Sequence, residues 1–174
     1  MPMEAASSTR PEDQTIERLR RQRALRRVGL VAIGAVIVAG MLNLLGVRTG
    51  VARDSADGVS LKVTYAQVSR SGLATPWTLE VASADGFPGP VTVATSAAYF
   101  DRFDFNQWYP EPSATTFRDG SLVLTFEPPE GDHLVVRFDG RASPTFGLGS
   151  EATTTLETEG LPRLSVSYRT VVMP

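Results

Sequence analysis

The residue types best suited to chemistry are concentrated in one segment, residues 99–112, which reads YFDRFDFNQWYPEP. Six of its fourteen residues are aromatic, whereas aromatic residues make up 8% of the chain. If exposed, Trp108 and Tyr109 could stack on a sugar or a peptide, because each ring has an apolar face and a polar edge. Together with the nearby carboxylates of Asp101 and Asp104, they form the predicted partner-binding site.

Two other interpretations of this segment stay open. The oxygens of Asp101, Asp104, Asn106 and Glu111 could bind Ca²⁺, but their spacing lacks the glycine and the bidentate glutamate of an EF-hand loop. Alternatively, the phenylalanines and Trp108 fill the core while the acidic side chains are solvated, which is a frequent role of aromatic residues. We therefore predict no metal site and no cofactor.

Catalytic signatures are few elsewhere in the chain. His133 is the single histidine, so a catalytic triad or a histidine-based metal site would depend on it alone. It follows Asp132 after a Pro-Gly turn, where a solvent-exposed side chain is the simpler interpretation. Gly147-Leu148-Gly149 lacks the spacing of a phosphate-binding loop. The chain is therefore predicted not to be an enzyme.

The elements that must position these residues begin with an apolar segment, residues 28–47, in which Asn43 is the one polar side chain. At about 1.5 Å per residue, a helix of this length crosses the ~30 Å core of a bilayer. Six arginines lie in the ten residues directly before it, at positions 18, 20, 21, 23, 26 and 27. Because positive charge stays in the cytoplasm, we predict a single-pass signal-anchor with a cytoplasmic N-terminus. A signal peptide cleaved near Val51–Ala52 is the alternative.

Small residues recur on one face of this predicted span, at steps of three and four. They form the predicted contact face for another membrane helix, since small residues allow close approach and an asparagine can hydrogen-bond across the interface. The face comprises Ala32, Ala35, Ala39, Asn43 and Gly46. The alternative is a plain anchor in which Asn43 lies near the outer headgroups.

The charge distribution narrows the range of partners. Residues 1–27 carry a net charge of +3 and residues 48–174 a net charge of −5. An acidic outer domain disfavours nucleic acid as a partner. The predicted partners are the lipid bilayer, another integral membrane protein and the inner cell wall. The chain has no cysteine, so no disulfide stabilises the outer domain.

The region after the span alternates apolar and polar residues at the period of half-buried antiparallel strands. Turn residues separate seven or eight such segments, which predicts an all-β immunoglobulin-like sandwich outside the membrane. Its predicted core residues are Trp77, Leu79, Leu124, Phe126, Val136, Phe138, Val166 and Tyr168. The predicted boundaries are a disordered N-terminus (1–8), a basic cytoplasmic helix (9–27), the transmembrane helix (28–47), a polar linker (48–58) and the β domain (59–174).

The sequence PGPVTVATSAAYFD, followed by PEPSATTFRDGSLVLTFEPPEGDHLVVRFDGRASP, resembles bacterial immunoglobulin-like surface domains. The similarity covers residues 88–145 and consists of turn and strand motifs. The whole layout is similar to small single-pass membrane proteins of actinobacteria that carry such a domain at the C-terminus. This resemblance implies a fold and a topology but brings no catalytic residues.

These observations lead to one expectation about function. We expect a non-catalytic accessory or scaffolding protein that presents a binding domain outside the cytoplasmic membrane. The alternative is a carboxylate-based enzyme, or a carbohydrate-binding module, that acts on cell-wall glycan.

Overall fold

The computed structural model describes residues 11–41, 48–143 and 149–173. The chain divides into two compact units, Met1–Gly46 and Val47–Pro174. The first unit contains the helix α1 (Pro11–Met41), which has 31 residues. This helix covers most of the predicted basic helix and the first part of the predicted span. The predicted disordered segment, residues 1–8, lies outside the described residues.

Among the described residues, no helix is both long enough and apolar enough to cross a bilayer. The predicted transmembrane helix is therefore not found. The described apolar part, residues 28–41, extends about 21 Å at about 1.5 Å per residue, which is less than the ~30 Å of a bilayer core. The remainder of the predicted span, residues 42–47, lies outside the described residues.

The predicted contact face of the helix lies only partly within the described residues. Ala32 and Ala35 are exposed on α1. Asn43, Gly46 and the side chain of Ala39 lie outside the described part of the structure.

The second unit is mostly β, which confirms the all-β prediction. Its described residues form ten strands, more than the seven or eight expected, and one short helix interrupts them. The elements are β1 (Arg48–Ala56), β2 (Val59–Arg70), β3 (Trp77–Ser83), β4 (Val91–Ser96), α2 (Ala97–Phe100), β5 (Phe103–Tyr109), β6 (Ala114–Arg118), β7 (Ser121–Phe126), β8 (His133–Ala142), β9 (Ser150–Leu156) and β10 (Leu164–Met173).

The strands form one curled sheet in the order β5-β8-β3-β2-β10-β9-β4-β7-β6, with β1 paired to β2. Residues 164–170 of β10 pair antiparallel with β9, and residues 171–173 pair parallel with β2. This strand therefore joins two arms of the sheet. The first arm contains β1, β2, β3, β8 and β5, and the second contains β10, β9, β4, β7 and β6.

The prediction that residues 48–58 form a linker is wrong, because most of these residues form strand β1. This strand pairs antiparallel with β2 from Ala56 opposite Val59 to Thr49 opposite Ala66. The turn between them is Asp57-Gly58, with φ of 49° and 75°. Positive φ at both positions is the geometry that Asp-Gly favours in a tight hairpin. The β domain therefore begins about ten residues earlier than expected.

One apolar core fills the interior of the curled sheet and draws residues from both arms. All eight predicted core residues are buried, which confirms that part of the prediction. The core also contains polar contacts. The indole Nε1–H of Trp77 donates a hydrogen bond of 2.9 Å to the hydroxyl of Tyr168, and the hydroxyl oxygens of Tyr99 and Thr170 lie 2.9 Å apart. Burial raises the pKa of both tyrosine hydroxyls.

Candidate functional site

The aromatic segment 99–112 begins in the core. Tyr99, Phe100 and Phe103 are buried at the junction of α2 and β5. The ring centroid of Phe100 lies 5.3 Å from that of Trp77 and 4.9 Å from that of Phe138, with the planes nearly perpendicular. Edge-to-face contacts of this kind add to the stabilisation from burial. The interpretation of these aromatic residues as core is therefore confirmed for this part of the segment.

Trp108 and Tyr109 lie on opposite faces of β5, because successive side chains of a strand alternate. Trp108 is half-buried, and its ring centroid lies 4.7 Å from that of Phe138 and 5.6 Å from that of Trp77. Tyr109 is 53% exposed. The two predicted contact residues therefore face in different directions, and Tyr109 is the one presented to solvent.

Tyr109 lines an open pocket of about 360 Å³ between β3, β5 and β8. It lies opposite Arg137 of β8, which in turn lies opposite Thr78 of β3. These three residues form a row across the outer face of the first arm. The complete lining consists of Ala74, Thr75, Pro76, Trp77, Thr78, Tyr109, Arg137, Phe138 and Asp139. The pocket thus combines apolar walls with a cation, a carboxylate and hydroxyl groups.

Arg137 is the side chain that makes the pocket chemically distinctive. It is exposed, and among the described residues it has no acidic partner within 4.0 Å. By contrast, Lys62 on the same face binds Glu80 at 2.7 Å. A guanidinium offers five donors in a planar fork that matches a carboxylate. The pocket can therefore bind a carboxylate or another acceptor while Tyr109 covers an apolar part of the ligand.

The two predicted aspartates are exposed but are not gathered around Tyr109. Asp104 lies opposite Arg141, whereas Tyr109 lies opposite Arg137, four residues away along β8. At about 3.3 Å per residue this separates the two positions by about 13 Å. Asp101 precedes β5, directly after the short helix α2. A single small ligand therefore cannot contact Tyr109 and both aspartates.

The calcium interpretation finds no support in the described part of the chain. No three histidine or acidic residues there lie close enough together to hold a metal ion. The side chain of Asn106 lies outside the described part of the structure.

His133 is exposed, and its Nδ1 lies 3.1 Å from Oδ1 of Asp132. The hydrogen bond from His133 lowers the pKa of Asp132, as expected for a solvated surface pair.

Reasoning from sequence singled out Tyr109 but missed Arg137, Thr78 and Asp139. Alternation along β8 would place Arg137 and Asp139 on its outer face, because Leu134, Val136 and Phe138 point inward. The pairing of β5 with β8 was not foreseeable from local patterns, since β5 itself was not recognised as a strand.

In comparisons with known proteins, no family model matches the chain, and no curated protein matches it significantly.

Proposed function

We propose that this protein is a non-catalytic accessory protein, anchored in the cytoplasmic membrane, whose β domain binds a partner on the outer side. The observation that carries the proposal is the pocket in which exposed Tyr109 lies beside Arg137, a cation without an acidic partner among the described residues. Such a site binds by stacking and by charge-assisted hydrogen bonds. It contains no histidine or cysteine that could act as a nucleophile or base.

The anchor in this proposal is the apolar segment 28–47 with its preceding arginines. A cytoplasmic N-terminus follows from that charge asymmetry. Strand β1 begins at Arg48, so the β domain follows this segment in the sequence without an intervening linker. The partner is then another integral membrane protein or the innermost cell wall. We further propose that the curled sheet is an immunoglobulin-like sandwich, in which the two arms are the two packed layers.

The pocket is tested by capturing partners from native membranes with the full-length protein. Tyr109→Ala and Arg137→Ala should each abolish recovery of a stoichiometric membrane or wall partner. Arg53→Ala is the matched control for Arg137→Ala, and Val51→Ala is the control for the loss of an exposed apolar side chain, because both residues are exposed on β1. Equal loss in the controls, or full recovery with both pocket variants, would refute the pocket as the binding site.

The alternative function is a carbohydrate-binding module or a carboxylate-based enzyme that acts on wall glycan. An exposed tyrosine beside polar groups also suits a sugar ring. Co-sedimentation with purified wall glycan that is lost in Tyr109→Ala would favour the carbohydrate-binding module. Glycan cleavage that is lost on replacing Asp101 or Glu111 would favour the enzyme and overturn the non-catalytic proposal.

Topology is tested by fusing reporter enzymes after Pro174. An alkaline phosphatase fusion should be active, and a reporter that requires the cytoplasm should be inactive. The opposite pattern would refute the proposed orientation. The mass of the membrane-bound form distinguishes an intact anchor from a cleaved signal peptide.

The proposed helix contact face is tested separately. Changing Ala35 and Ala39 together to Leu should weaken helix association in a membrane two-hybrid assay, because larger side chains keep the backbones apart. Changing Ile33 and Ile37 to Leu is the control for introducing leucine on the other side of the helix. Unchanged association in the alanine variant would favour a plain anchor.

A further inference from the structure

Strand β6 is an exposed edge of the sheet. It stands at the end of the strand order, and among the described residues it pairs with β7 alone. All five of its residues, Ala114–Arg118, are exposed, and Phe117 is 70% exposed. Such an edge presents unpaired backbone N–H and C=O groups to which another extended chain can hydrogen-bond. The binding partner that suits this edge is therefore another β-strand.

The other free edges of the sheet carry protection that β6 lacks. The pairing of β5 is irregular between Asp104 and Gln107, and Pro110 follows the strand directly. Strand β1 lies beside β10, where the backbone N–H of Ser165 donates a hydrogen bond of 2.9 Å to Asp54. Strand β6 contains neither proline nor glycine, and its register with β7 is unbroken. Bulges, prolines and covering elements are the usual means of blocking strand addition.

Charge does not protect β6 either. Its one charged residue, Arg118, donates to Oε2 of Glu157 at 2.5 Å. Arg163 donates to the other oxygen of the same carboxylate at 2.9 Å. Arg118 is therefore held toward the outer face of the second arm, and it does not repel an approaching strand.

We propose that β6 pairs antiparallel with β6 of a second copy of this protein, with Thr116 on the two-fold axis. In this register Thr115 of each copy lies opposite Phe117 of the other, so a Thr–Phe cross-strand pair forms twice. Pairs of aromatic and β-branched residues stabilise antiparallel strands. Arg118 of each copy lies opposite Ala114, so no like charges meet. The sequence of β6 is thus complementary to itself in this register.

The size of the contact sets its strength. Five residues span about 17 Å, and the exposed ring of Phe117 is the main apolar surface added to the backbone pairing. A contact of this size buries less than the roughly 1,200 Å² of a stable interface. Association in solution is therefore weak and depends on concentration. If the protein is anchored as proposed above, confinement to the membrane raises the effective concentration. The pairing itself does not require the anchor.

Cysteine cross-linking tests this register, because the chain has no cysteine of its own. In Thr116→Cys the two introduced thiols lie on directly opposite residues, whose Cα atoms are about 4.5–5.5 Å apart. This separation lies within the range of a disulfide. In the matched control Ala114→Cys, the two thiols are offset by four residues, or about 13 Å. The full-length proteins are oxidised across a range of concentrations, in detergent and in vesicles.

We expect Thr116→Cys to form a covalent dimer at least about tenfold faster than Ala114→Cys, given these separations. Adding Thr116→Lys to the otherwise native chain should abolish self-association, because two ammonium groups would then meet on the axis. Its circular dichroism should be unchanged, since position 116 is exposed. Equal rates for the two cysteine variants, or no dimer of Thr116→Cys at any concentration, would overturn the proposal. Tyr109→Ala should leave the cross-linking unchanged, so failure at the pocket and failure at the edge are distinguishable.

Discussion

Removing one hydroxyl group from the core should destabilise the β domain measurably. The hydroxyl of Tyr168 accepts the hydrogen bond from Trp77 Nε1 at 2.9 Å and lies 3.1 Å from Oγ1 of Thr154. Trp77 and Tyr168 are 2% and 5% exposed. In Tyr168→Phe the ring remains, and with it the contact to the ring of Tyr99, whose centroid lies 5.4 Å away. The substitution therefore isolates the effect of the hydrogen bonds.

The expected magnitude follows from the groups that are left behind. The indole N–H of Trp77 becomes a buried donor without an acceptor, which costs about 1–3 kcal/mol. Thr154 loses one partner but keeps the hydroxyl of Thr95 at 2.9 Å. Removing a single oxygen creates no cavity large enough to add a substantial second cost. We therefore expect the free energy of unfolding to fall by about 2 kcal/mol, in the middle of that range.

Urea unfolding followed by tryptophan fluorescence measures this change. Both tryptophans, Trp77 and Trp108, belong to the β domain, so the signal reports its unfolding alone. The matched control is Ser167→Ala, which removes the neighbouring, exposed hydroxyl that lies 3.0 Å from Oγ1 of Thr153. Its effect should stay below about 0.5 kcal/mol, as for most surface substitutions. A Tyr168→Phe protein as stable as the control would refute the reasoning.

Three further predictions concern the same domain. Because burial raises the pKa of Tyr99 and Tyr168 above the ordinary value of 10.0, the unfolded chain releases protons above about pH 10 that the folded chain retains. The free energy of unfolding should therefore keep its full value below that pH and fall above it, by up to about 1.4 kcal/mol per pH unit for each tyrosine. Tyr99→Phe should reduce the slope of the urea midpoint against pH. Gly58→Ala should cost about 1 kcal/mol in the same assay, because φ there is 75° and a side chain disfavours this left-handed conformation, whereas Gly131→Ala should cost less. Phe126→Ala should cost about 3–5 kcal/mol because the ring is buried, and a loss below about 1 kcal/mol would contradict its place in the core.

Much of the β architecture was predictable because the pattern that specifies it is local. In β8 every second residue from Leu134 to Ala142 is buried, so alternation alone identified both the strand and its inward face. Strand β1 escaped prediction because Gly50 is its one buried residue, which leaves no apolar alternation. Its pairing depends on β2 and on the Asp57-Gly58 turn. The Asp-Gly pair of the turn is visible in the sequence, but the strand that precedes it, β1, is not.

The candidate site was less predictable because it depends on register between distant strands. Alternation within β5 separates Trp108 from Tyr109 once the strand is known. Arg137 joins Tyr109 through the pairing of β5 with β8, and Thr78 joins them through the pairing of β8 with β3. No local pattern in the sequence encodes either register. The aromatic composition indicated an unusual segment, but it did not distinguish core rings from exposed rings.

The passage of β10 from one arm to the other has a consequence for the order of folding. Near that crossing, the hydroxyl of Thr170 donates to the carbonyl oxygen of Ala66, 104 positions away. Hairpins such as β1–β2 and β6–β7 can form within microseconds, but this closure must overcome the loop entropy of most of the domain. During synthesis, the end of β2 therefore stays without its parallel neighbour until β10 has emerged. We expect the β domain to fold slowly, and its early hairpins to be vulnerable to misassociation until the sheet closes.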